Sequence, residues 1–63
     1  MLRITEEQAK AIRRKRADLS LTVIGLSKNI GVSRHTISKI ERGDYMTKPT
    51  IYAKVMEWLA EDY

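Results

Sequence analysis

A chain of 63 residues with twelve Lys/Arg, eight Asp/Glu and no Cys has room for one small domain, expected over residues 1–63, which buries only about 60% of the surface its unfolded form exposes. No Cys excludes disulfide scaffolds and zinc fingers and fits a reducing cytoplasm. The apolar runs are too short to span a membrane, and the opening Met1–Glu7 lacks the apolar stretch of a signal peptide.

The net charge of +4 and pI of about 9.7 suit a polyanionic partner. Residues 1–43 hold ten Lys/Arg against four Asp/Glu, and residues 44–63 hold two against four. The basic character therefore sits in the first two-thirds of the chain.

Four helices and no strand are expected, an all-α fold. Thr5-Glu6-Glu7-Gln8 has the form of a capping box, with acids where the helix dipole favours them. The helix it opens carries Ala9, Ile12 and Arg16 at helical spacing and ends near Asp18. Its run Arg13-Arg14-Lys15-Arg16 points to several sides, so its members cannot share one task. Thr22 can cap a second helix ending at Ile30, before a left-handed Gly31. Ser33 can cap a third, with Ile37 and Ile40 inward and a stop at Gly43. Asp44 to Lys48 reads as a loop. Pro49 suits the first turn of a fourth helix, with an apolar stripe of Ile51, Val55 and Leu59 and Trp58 beside it.

The second and third helices, joined by Gly31-Val32-Ser33 with small Ser27 one turn earlier, predict two short helices crossing steeply and closely. Leu26, Ile30, Val32, Ile37 and Ile40 then close the core between them. The outer face of the later helix is left with Arg34, His35, Ser38 and Lys39, all hydrogen-bond donors and none acidic. Such a helix fits the major groove, where base edges are read.

The stretch from Leu21 to Gly43, and above all its ending Ile37-Ser38-Lys39-Ile40-Glu41-Arg42-Gly43, resembles the Cro/CI (Xre-like) helix-turn-helix family of phage and bacterial repressors. The resemblance implies a compact four-helix, lambda-repressor-like DNA-binding domain with the recognition helix over about residues 33–42. It implies base contacts from Ser33, Arg34, His35, Ser38 and Lys39. It implies phosphate contacts from Thr22, Arg42, Tyr45 and Lys48, and an ion pair between Arg16 and Glu41. Arg34 is the first choice for a base, because Arg pairs bidentately with guanine. There are departures from the family pattern. Val23 stands where a phosphate-binding Gln is common, Ser27 where Ala is usual, and the chain ends just after the fourth helix where many members have a fifth.

Enzymatic chemistry finds no support: there is one His, no Cys and no phosphate-cradling, zinc or calcium motif, so no metal or cofactor is expected. Tyr52, Met56, Trp58 and Tyr63 on and after the fourth helix exceed what a small core needs, and aromatics and Met are enriched at interfaces. They predict a homodimer or a docked partner regulator. The leading reading is a repressor of double-stranded operator DNA, Cro-like and of phage or prophage type. The alternative is an antirepressor-like modulator that binds another regulator.

Overall fold

The computed structural model describes residues 1–61; Tyr63, one of the expected interface residues, lies outside them. In chain order the elements are β1 (Leu2–Ile4), α1 (Glu6–Asp18), α2 (Val23–Ile30), α3 (Arg34–Glu41), β2 (Tyr45–Thr47) and α4 (Pro49–Ala60). The fold is mostly helical; α1, α2 and α3 each start at a side chain that accepts from an otherwise unpaired amide, and α4 starts at a proline.

At α1, the Gln8 amide donates to Thr5 Oγ1 at 3.1 Å and the Thr5 amide donates to Gln8 Oε1 at 2.9 Å, a complete capping box. At α2 the Gly25 amide donates to Thr22 Oγ1 at 2.9 Å. At α3 the His35 amide donates to Ser33 Oγ at 3.2 Å. α4 has no side-chain cap and begins on Pro49, which has no N–H to satisfy. Gly31, at φ 82°, turns the chain between α2 and α3. There the Gly31 and Val32 amides both donate to Ser27 O, at 2.8 and 3.1 Å, which closes α2 while the chain reverses.

Two short strands correct the expectation of none. Leu2–Ile4 pairs antiparallel with Tyr45–Thr47, with Arg3 opposite Met46 and Ile4 opposite Tyr45. The stretch from Asp44 to Lys48 is therefore a turn leading into a strand rather than a loop throughout. One face of the ribbon is covered: Ile4 and Thr47 are fully buried.

The core is built from Ile4, Ile12, Leu26, Val32, Ile37, Ile40, Val55 and Trp58, so every element except β2 places a buried apolar side chain in it. Burying one such side chain is worth about 1.5–3 kcal/mol. Ile30, Ile51 and Leu59 pack against this cluster half-buried. Trp58 corrects a second expectation. It is 5% exposed, and its ring lies under the Lys15 ammonium at 4.7 Å, so it is core rather than outward-facing. Tyr52 and Met56 are half-buried against the same core, and Tyr52 Oη accepts from Gln8 Nε2 at 3.3 Å.

Candidate nucleic-acid interface

α3 has two chemically distinct sides. Ile37 and Ile40 are buried, and Glu41 joins them at the helix end. Arg34 and His35, with Ser38 and Lys39 one turn on, form the opposite stripe, and all four are exposed. Ser33 is exposed just ahead of them, with its hydroxyl already serving the His35 amide. Among the described residues, the side chains of Arg34, His35, Ser38 and Lys39 make no hydrogen bond or ion pair within the chain. The helix thus offers an unspent row of donors on a rigid element held by its apolar side. A helix with its side chains is about 10–12 Å across, and the major groove of B-DNA is about 12 Å wide.

The flanking positions are less uniform. Arg42 is the exposed C-cap of α3 and Lys48 the exposed residue just before α4. Thr22 is exposed at the start of α2, and its oxygen is engaged by the Gly25 amide. Tyr45 is half-buried, packed on the core beside Ile4. Val23, in place of the common Gln, packs against the core. Its apolar character therefore has a local reason, and it leaves the backbone N–H groups at the start of α2, rather than its own side chain, to face an anion.

Arg16 and Glu41 meet. Arg16 Nε donates to Glu41 Oε2 at 2.8 Å and Nη2 donates to Oε1 at 3.1 Å. This is the two-pronged arrangement in which guanidinium and carboxylate match best. Their side chains are 25% and 9% exposed. Arg16 Nη1 also donates to Leu21 O at 3.0 Å, so one guanidinium ties α1, the α1–α2 turn and the end of α3 together.

The rest of the basic run in α1 is where sequence reasoning fell short. Arg13 donates to the backbone carbonyl of Glu41. Lys15, only 4% exposed, donates to Trp58 O and to Glu61 O, the latter at 2.8 Å. Both cations sit on carbonyls at helix C-termini, where orphan acceptors and the negative dipole end favour them. Three members of a four-residue basic run are thus bound internally. The signal available in sequence was the spacing: Lys15 continues the inward row of Ala9 and Ile12.

A concavity of about 710 Å³ between α1 and the end of α4 is lined by Glu7, Lys10, Arg14, Asp18 and Leu59 among others. Its charges are mixed, and no His or Ser lines it. Among the described residues no group of three or more His, Asp or Glu could hold a metal ion. Among them, too, no helix is long and apolar enough to cross a membrane.

Neither a curated protein nor a solved structure matches the chain. A helix-turn-helix family model matches residues 12–57, which takes in most of α1, all of α2 and α3, and most of α4. With α2 and α3 joined through a left-handed glycine, a donor-lined outer face on α3 and this match over most of its length, the chain belongs to the Cro/CI (Xre-like) helix-turn-helix family of DNA-binding transcription regulators.

Proposed function

We propose that this protein is a sequence-specific repressor of Cro-like, phage or prophage type, that acts in the cytoplasm and binds double-stranded operator DNA as a single domain over residues 1–63. α3 lies in the major groove. Arg34, His35 and Lys39 reach base edges with Ser33 and Ser38 beside them. Arg42 and Lys48 grip the backbone on one side of the groove, and the first amides of α2, with Thr22, grip it on the other. The observation that carries this reading is the exposed stripe on α3, composed of donors with no partner among the described residues. A helix serving only to pack has no use for such a row. Repression follows from occupying a promoter. A dimer reading two half-sites places its recognition helices about 34 Å apart, one helical turn.

The test is a fluorescence-anisotropy titration with the promoter region adjoining the protein's own gene and with random duplex DNA, across a range of salt. Contacts to about five to seven phosphates give a log–log salt slope of roughly −0.9 per phosphate, with the promoter bound more tightly than the random duplex. Weak, equal and salt-insensitive binding to both refutes the reading and leaves the modulator of another regulator in its place.

A further inference from the structure

The geometry points to Arg3, on β1, as a contact to the DNA backbone that at the same time cancels the charge of Asp44. The inference rests on the DNA-binding reading above. It concerns a residue outside the stretch that defines the family, residues 12–57.

Gly43 and Asp44 are both left-handed, at φ 89° and 51°. Asp is one of the few residues with a side chain that tolerates this conformation, so an acid has a backbone reason to stand there. Its position is electrostatically awkward. In sequence it lies between Arg42 and Lys48, the two cations assigned to the backbone, and a bare carboxylate near a phosphate contact repels phosphate.

β1 resolves the conflict. The register places Arg3 opposite Met46, two residues beyond Asp44. From there Arg3 Nε donates to Asp44 Oδ1 at 3.1 Å, and Nη2 donates to the same oxygen. A guanidinium has five N–H groups, so this pairing leaves three free for another anion. The two side chains are 61% and 57% exposed. An ion pair so open to water adds little to stability, so bracing the fold does not account for it. A planar guanidinium with spare donors beside a phosphate-gripping turn does suit a phosphate.

Four variants test the assignment: Arg3→Ala, Arg3→Lys, Asp44→Asn and the double variant Arg3→Ala/Asp44→Asn. Each is titrated with the promoter fragment and with random duplex across salt, alongside a thermal melt. Arg3→Ala is expected to weaken both DNAs alike, by about five- to twentyfold, and to make the salt slope shallower by about 0.9. Arg3→Lys keeps the slope, because the charge remains. Asp44→Asn, which retains a residue suited to the left-handed turn, strengthens binding about three- to tenfold. The double variant recovers most of the affinity lost in Arg3→Ala but not the slope. A wild-type slope in Arg3→Ala overturns the assignment, whether affinity is unchanged or falls together with the melting temperature. If the unaltered protein shows no salt-dependent DNA binding, it is the DNA-binding reading that fails.

Discussion

Removing the Glu41 carboxylate tests how the recognition helix is held. Glu41→Ala deletes two charge-assisted hydrogen bonds, at 2.8 and 3.1 Å, and leaves Arg16 with Leu21 O as its remaining partner. Breaking a buried pair by removing one partner costs about 3–5 kcal/mol. Arg16 is a quarter exposed, so water recovers part of that, and about 2–4 kcal/mol is expected. A chain of 63 residues has a total stability of about 3–9 kcal/mol, so the variant loses a large fraction of it. Urea titration followed by the fluorescence of Trp58, the chain's one tryptophan, reads the change. The cycle with Arg16→Ala isolates the pair, and a coupling of about 1.5 kcal/mol or more is expected. The apolar replacement Arg16→Met/Glu41→Leu is expected to be near neutral, because it deletes both charges together. A coupling below about 0.5 kcal/mol, the worth of an open surface pair, refutes the view that this contact fastens α3 to α1.

Glycine replacement separates two turns that look alike in sequence. Gly43→Ala is expected to cost about 2–3 kcal/mol, because a strained φ of 89° is compounded by a new Cβ only 3.2 Å from Glu6 Cα. Gly31→Ala, at φ 82° with nothing within 4 Å of the new atom, is expected to cost about 1 kcal/mol; equal melting temperatures for the two refute the close-approach argument. Lys15→Met keeps the bulk but removes the ammonium from the Trp58 ring and two carbonyls. Urea unfolding is expected to show a loss of about 1–3 kcal/mol, and a stabilised variant refutes the capping role. Arg34→Ala is expected to relax preference at one base pair by about 1–3 kcal/mol, while Lys48→Ala weakens all sequences equally. Competition binding with a set of single-base operator variants distinguishes the two patterns.

The helix boundaries were legible because each is written in local chemistry. Thr5, Thr22 and Ser33 accept from amides two or three residues on, and Gly31 and Gly43 are both left-handed. The outer stripe of α3 was legible for the same reason, since residues one turn apart on a helix need no tertiary information to share a face. What was not legible depends on partners far along the chain. A three-residue strand is too short to show a period of two, so Leu2–Ile4 is marked only by Tyr45–Thr47, which it meets in space. The spacing puts Lys15 in the inward row of Ala9 and Ile12, but what accepts its charge there, the carbonyl end of α4, lies far along the chain and is not written near it. Trp58 carries a surplus of aromatic surface in sequence, which that same lysine covers.

The β1–β2 ribbon also bears on the order in which the chain assembles. The helix-turn-helix is made of near neighbours, and the loop between α2 and α3 closes over a few residues. Arg3 and Asp44 stand 41 positions apart, and bringing such distant segments together costs loop entropy that the helices never incur. A two-stranded ribbon holds only weakly on its own, so the first strand is expected to dock last, after the helices have made the floor that Ile4 seals. For the same reason β1 is expected to be the first segment to lift away in local opening, leaving α3 intact while the amino-terminal strand is free; amide exchange at Leu2–Ile4 faster than in α3 is the expected signature.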